Sequence, residues 1–101
     1  MNMCIRMDAA DNVATVLEKT CAGDKLNILD RNKQLVGHIT AKEELPFAHK
    51  ISIKPIEKGE LIYKFGVVIG RCIETLPEGG LVHVHNLISI KGAEQIRRAR
   101  E

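Results

Sequence analysis

The sequence predicts a mostly β domain, a compact sheet of short irregular strands with a short helix at its C-terminus. Apolar residues make up 45% of the 101 positions but aromatic residues only 3%, so the core must consist of Ile, Leu, Val and Ala. Short segments in which apolar and polar residues alternate follow one another along the chain, which is typical of strands. A glycine followed by a charged or small residue opens several of these segments, at Gly23, Gly59 and Gly79. These features indicate several β-arches.

The first half of the chain contains four candidate strands. Residues 1–7 alternate weakly and predict an edge strand, whereas residues 13–17 fit either a strand or a first helical turn. Residues 25–29 and 34–39 flank a polar four-residue connection and predict a hairpin. Thr40 is placed to cap a turn of helix before Pro46.

The second half begins with residues 49–55, where alternation directs Ile51 and Ile53 inward and Lys50, Ser52 and Lys54 outward. His49 has the inward parity at the start of this strand. The turn at Lys58 and Gly59 leads to a strand over residues 61–65. The nearly continuous apolar run 67–73 predicts a strand that is covered on both faces.

The stretch from Gly79 to Ile90 contains two histidines in an alternating segment. Successive side chains of a strand point to opposite faces, so His83 and His85 share one face. Asn86 interrupts the apolar residues of the other face, and a buried amide needs hydrogen-bond partners. We therefore regard His83, His85 and Asn86 as a candidate functional site.

The C-terminal residues are polar and predict a helix over residues 93–100, whose arginines suit the end of the helix dipole. Its only large apolar residue is Ile96, so we expect the helix to be attached to the domain without entering its core. The predicted organisation is a β domain over residues 1–92 and a helical tail over residues 93–101.

Charge and composition exclude several classes of function. A net charge of +2, without a basic stripe between aromatic residues, argues against nucleic-acid binding. No apolar stretch approaches the ~18 residues of a membrane span, and the N-terminus does not resemble a signal peptide. Three scattered cysteines predict small buried thiols in a reducing compartment. We expect a soluble cytoplasmic protein, and the sequence leaves a homo-oligomer open.

The two histidines at i and i+2 are close enough to bind one metal ion, which needs further ligands. These would come from His49, His38, another chain or a substrate, and the alternative is a pair of solvent-facing histidines. Lys50 and Lys64 are candidates to hold a carboxylate or sulfonate, against the alternative of ordinary solvated lysines. The chain has no Ser-His-Asp order, no phosphate-binding glycine loop and no cysteine beside a base. A self-contained enzyme is therefore difficult to assemble from these residues.

An ordered series of motifs runs through most of the chain. The motifs are Asp11-Asn12-Val13-Ala14, Pro46-x-x-His49-Lys50, Ile56-x-x-Gly59-Glu60-x-Ile62-x-Lys64-Phe65-Gly66-x-x-Ile69-Gly70 and Gly79-x-x-Val82-His83-Val84-His85-Asn86. This series resembles the altronate dehydratase family, specifically its small N-terminal SAF domain. The module is similar to the small subunit of (R)-sulfolactate sulfo-lyase and to the N-terminal part of galactarate dehydratases. Phe65 stands where the family often has Tyr.

The resemblance implies a β-clip fold and a component of a lyase that acts β to the carboxylate of a small hydroxy acid. This lyase would be a carbon–oxygen hydro-lyase that removes water or, in the variant, an enzyme that removes sulfite. The resemblance also implies a large catalytic subunit, without which this chain is inactive, and a divalent metal of the iron or manganese type. His83, His85 and Asn86 would be catalytic residues at the substrate or metal end of a shared active site. His49, Lys50, Lys64 and Gly66 would support substrate binding.

Three hypotheses follow from the sequence. The first is a small subunit or N-terminal domain of a sugar-acid hydro-lyase, with a sulfolactate sulfo-lyase subunit as its nearest variant. The second is a non-catalytic module that binds a carboxylated sugar or a partner domain. The third is an independent protein with a metal site of its own.

Overall fold

The computed structural model describes residues 2–82 in full and the backbone of residues 87–89. This part of the chain contains nine strands and no helix, which confirms the mostly β prediction. No helix in it is long and apolar enough to cross a membrane. The strands are β1 (Asn2–Ile5), β2 (Val13–Val16), β3 (Lys25–Leu29), β4 (Leu35–Thr40), β5 (Lys50–Ser52), β6 (Leu61–Lys64), β7 (Val67–Cys72), β8 (Leu81–Val82) and β9 (Leu87–Ser89).

The larger sheet has six strands in the order β4-β3-β1-β2-β5-β8. The β3–β4 hairpin is present as predicted, and residues 13–16 form a strand rather than a helical turn. The prediction of β1 as an edge strand is wrong, because β1 pairs with β2 on one side and with β3 on the other. Its buried Cys4 explains this position, since an interior strand contributes side chains to the core.

The smaller sheet has three strands in the order β6-β7-β9. The apolar run in β7 is not covered on both faces, because Val67 remains 53% exposed and Ile73, just beyond the strand, 39% exposed. Gly70 and Cys72 are the buried residues of β7. The prediction from the apolar run therefore overestimated how much of this strand is buried.

Four eight-residue segments have the same backbone shape, and we call them arches 1 to 4; they are residues 17–24, 42–49, 53–60 and 73–80. In each arch, the fourth residue is buried and the amide of the eighth donates to the carbonyl of the fifth. Arches 1 and 2 pair through Thr20 and Leu45, and arches 3 and 4 pair through Ile56 and Leu76. The seventh residue has a positive φ throughout: 91° at Gly23, 70° at Ala48, 94° at Gly59 and 90° at Gly79.

The turn glycines predicted three of these arches, and arch 2 was missed because Ala48 takes the place of glycine. Residues 41–44 do not form the helical turn predicted after Thr40. Leu45 instead pairs with Thr20, and the carboxylate of Glu43 accepts a hydrogen bond from the amide of Leu81. Tertiary hydrogen bonds thus replaced a local helical preference.

Buried side chains form two hydrophobic clusters. The first lies within the six-stranded sheet and includes Leu45 of arch 2. The second includes Val82 at the end of β8 and Ile62 of β6, so it connects the two sheets. The remaining buried members of the second cluster are Val13, Ile56, Cys72 and Leu76. This second cluster supports the region around the candidate site.

Strand β5 departs from the predicted alternation. Ile51 is buried as expected and Ile53 is partly buried, but Ser52 is buried although it was predicted to face outward. Ser52 is enclosed because its amide and carbonyl both bind the backbone of arch 4. His49 is exposed, contrary to its inward parity, because it is the last residue of arch 2 and follows the left-handed Ala48.

Candidate functional site

The predicted catalytic and metal-binding residues His83, His85 and Asn86 lie outside the described residues, as does the predicted helix at 93–100. The structure describes the residues that lead to them. The chain passes Val82, which pairs with Lys50 of β5, and returns at Leu87, which pairs with Cys72 of β7. Val82 is buried, as the alternation of this stretch predicted. Lys50 therefore lies beside the end of the strand that leads directly to His83.

Lys50 and Lys64 belong to different sheets, yet they lie close enough for their charges to interact, and we call them the lysine pair. Both are half-buried. Burial lowers the pKa of Lys64 below its ordinary value of 10.5, and the positive charge of Lys50 lowers it further. The carboxylate of Asp11 acts in the opposite direction and favours the ammonium form. The charges of the two ammonium groups repel each other, and an anion bound near both would relieve that repulsion.

Gly66 lies at the tip of the β6–β7 hairpin, with a φ of 74° that follows a φ of 57° at Phe65. Two consecutive positive values are typical of a type I′ hairpin turn, which favours Gly at its second position. A side chain on Gly66 would also crowd the carboxylate of Asp8, whose Cγ would lie 3.1 Å from the new Cβ. Phe65 is 54% exposed, and the centroid of its ring lies 5.2 Å from the Lys64 ammonium nitrogen.

Asp11 and Asn12 are the residues of this region whose contribution the sequence did not reveal. The Asp11 carboxylate accepts hydrogen bonds from the amides of Phe65 (2.9 Å) and Gly66 (2.8 Å). The Asn12 side chain accepts from the amide of Tyr63 and donates to the carbonyl of Leu61, each at 2.9 Å. Both residues belong to the matching motif Asp11-Asn12-Val13-Ala14, which assigns them no role, and an Asp-Asn pair before an apolar strand indicates a turn as readily as a tertiary contact.

The other predicted histidines, His49 and His38, lie at the end of arch 2 and in β4. His49 is exposed, and its Nδ1 lies 3.2 Å from the carbonyl oxygen of Phe47. His38 lines a separate groove of about 520 Å³ with Lys25, Lys42 and Glu78. Within residues 2–82, no three His, Cys, Asp or Glu side chains are grouped so that they could hold a metal ion. The described residues therefore do not by themselves fit a metal.

Residues 2–90 match the family model of the altronate/galactarate dehydratase SAF domain. The chain belongs to this family. The resemblance predicted from the motifs is thereby confirmed, and the match includes both the lysine pair and the His83–Asn86 segment.

Curated relatives of this SAF domain fall into two groups. It is 34% identical over 83 residues to a (2R)-sulfolactate sulfo-lyase subunit alpha of Chromohalobacter salexigens, covering 79% of this chain and 86% of the relative. It is 28% identical over 82 residues to an altronate dehydratase of Escherichia coli, covering 81% of this chain but 15% of that enzyme. A Bacillus subtilis altronate dehydratase is also 28% identical, with 85% of this chain and 16% of the enzyme covered.

Proposed function

We propose that this SAF domain is the small subunit, or the N-terminal domain, of a lyase that eliminates water from a sugar acid, and that a larger catalytic chain completes its active site. Family membership and the altronate dehydratases among the relatives support this reaction class. Those dehydratases are several times longer than the segment this chain matches, which supports a further catalytic part.

The observation on which the proposal rests is the position of Lys50. Lys50 lies opposite Val82, the residue that precedes His83, and its charge interacts with that of Lys64. We infer that the two ammonium groups hold the carboxylate of the substrate as point charges. His83, His85 and Asn86 would then act near the α-carbon, where a base removes a proton and water leaves from the β-carbon. His49 and Gly66 would contribute to the surrounding surface.

A divalent metal of the iron or manganese type remains part of the proposal only through His83 and His85, with further ligands from another chain. Such an ion would stabilise the negative charge that develops on the carboxylate. We also propose a cytoplasmic location, which the three free cysteines favour.

Elimination of sulfite is the second candidate function. The relative that favours it is the sulfo-lyase subunit, 86% of whose length is covered by the match to this chain. The same lysine pair suits a sulfonate as well as a carboxylate, since both are oxyanions. A binding module without a catalytic contribution is the third candidate.

Reconstitution with the cognate large chain tests these functions. We expect the mixture, but neither chain alone, to dehydrate altronate or to release sulfite from sulfolactate. Lys50→Met and Lys64→Met should raise KM, whereas His83→Ala and His85→Ala should lower kcat. Lys54→Met, which changes an exposed lysine just beyond β5, is the matched control. Full activity of both histidine variants would contradict the shared active site, and activity of this chain alone would contradict the need for a partner.

A further inference from the structure

The free edge of β6 is bound by two consecutive side chains from the turn before β2. β6 is an outer strand of the three-stranded sheet, so one of its edges has no neighbouring strand among the described residues. Asn12 binds that edge at Leu61 and Tyr63, and Asp11 continues the series at Phe65 and Gly66. Because β2 belongs to the six-stranded sheet, these bonds connect the two sheets in the region of the lysine pair.

Asp11 is buried, with 2% of the residue exposed. Besides the two hairpin amides it accepts a third hydrogen bond, from the amide of Asp8, at 3.2 Å. Hydrogen bonds from amides to an ionised carboxylate are roughly twice as strong as those between neutral groups. They stabilise a turn in which Phe65, a bulky residue, adopts a left-handed conformation that is unfavourable for it.

Lys64 is the residue immediately before this turn. Its direction is therefore set by the same bonds that set the turn, while Lys50 is held in the other sheet by β2 and β8. The charged groups around the Lys64 ammonium are Lys50 from β5 and Asp11 from the turn before β2. Asp8 lies nearby against Gly66, and the Phe65 ring lies under the ammonium.

We propose that Asp11 is a positioning residue of the anion site, which holds the β6–β7 hairpin and thereby fixes the position of Lys64, the residue before the turn. This inference rests on the proposed function, in which the lysine pair binds the substrate carboxylate or sulfonate. Asp11 acts through the backbone of Phe65 and Gly66 and does not itself contact the substrate.

Two effects of Asp11→Asn have opposite signs, and they separate positioning from simple electrostatics. Removing a negative charge near an anion site should tighten anion binding if charge alone matters. If Asp11 positions Lys64, binding should weaken, because an Asn side chain offers one acceptor oxygen where the turn presents several donors. We expect the affinity for sulfolactate or altronate to fall roughly tenfold, as for loss of a hydrogen bond to a charged group.

The test measures the Lys64 pKa by NMR of lysine-labelled protein, and anion affinity by calorimetry. In the wild type, Lys50→Met should raise the Lys64 pKa, and in the Asp11→Asn background this rise should shrink because the two ammonium groups are no longer held together. An undiminished rise, or tighter binding by Asp11→Asn, would overturn the inference. Absence of binding by the wild type, alone and with its large chain, would instead contradict the proposed function.

Two further variants keep the test informative. Asp24→Asn removes a carboxylate that accepts the Cys21 amide within arch 1, a comparable local bond away from the lysine pair, and should leave affinity unchanged. If Asp11→Asn does not fold, Gly66→Ala disturbs the same turn without altering any charge. It should also weaken binding, and unchanged affinity in a folded Gly66→Ala protein would contradict the inference.

Discussion

A side chain on Gly79 would overlap the carbonyl oxygen of Thr40, whereas one on Gly59 would meet nothing within 4 Å. The two glycines occupy the same position of arches 4 and 3, with φ of 90° and 94°. The contact exists because the amide of Lys42 donates to the carbonyl of Gly79, which brings arch 4 against the end of β4. Arch 4 leads into β8, so this contact also supports the segment that precedes His83.

The first prediction compares alanine at these two positions. Gly59→Ala should lower the free energy of unfolding by roughly 1–2 kcal/mol, the cost of a left-handed conformation for a residue with a Cβ. Gly79→Ala should cost about 1–3 kcal/mol more, because the methyl group must displace backbone atoms. Urea unfolding of both variants measures the difference. Equal losses would contradict the close packing of arch 4 against Thr40.

The second prediction concerns Ala48, which occupies this position in arch 2 with a φ of 70°. Ala48→Gly removes strain of about 1–2 kcal/mol from the folded state. It also lowers the free energy of the unfolded chain by about 0.4–1 kcal/mol, because glycine gives that chain more conformational entropy. We expect a small net gain in stability, measured as a higher urea midpoint. Ala22→Gly, one residue before Gly23 in arch 1, is the control and should be destabilising. A loss of stability in Ala48→Gly similar to that of the control would contradict the left-handed assignment.

The third prediction follows from the lowered pKa of Lys64. Burial and Lys50 disfavour its charged form in the folded protein, so the charge reduces stability. This loss is fully present below the folded-state pKa and disappears as pH rises to the ordinary value of 10.5. Lys64→Met should therefore be more stable than the wild type at pH 7, with an advantage that shrinks at alkaline pH.

Chemical denaturation at a series of pH values measures this advantage. Lys54→Met is the control for loss of one positive charge, since Lys54 is exposed. An advantage of Lys64→Met that grew with pH would show that the fold favours the charged form of Lys64.

The fourth prediction distinguishes the three thiols. Cys21 is exposed, contrary to the expectation of buried thiols, whereas Cys4 and Cys72 are buried. Burial raises the pKa of Cys4 to about 12 and also raises that of Cys72. Because the thiolate is the reactive form, iodoacetamide at pH 8 should modify Cys21 and spare the other two until urea is added. Mass spectrometry reads the result, and rapid labelling of native Cys4 would contradict its place in the core.

The sequence predicted most strands correctly because alternation and turn glycines are local properties. Its errors have two physical causes: a left-handed residue can change the local direction of the chain, and burial depends on residues distant in the chain. Parity placed His49 inward, but the left-handed Ala48 before it changes the direction of the chain. Similarly, Ser52 was predicted to be exposed, and it is buried because arch 4 packs against it. For the candidate site, the sequence selected Lys50 and Lys64 separately and did not show that they are neighbours.

Local patterns and motifs in the sequence were sufficient to determine a mostly β chain, three of the four arches and membership of the SAF domain family. Only the tertiary structure decided that Lys50 and Lys64 lie close enough for their charges to interact and that Asp11 binds the hairpin 54 and 55 residues further along. The reason is that alternation reports the environment of a few consecutive residues. Proximity between two sheets depends instead on hydrogen bonds and packing between segments far apart in the chain.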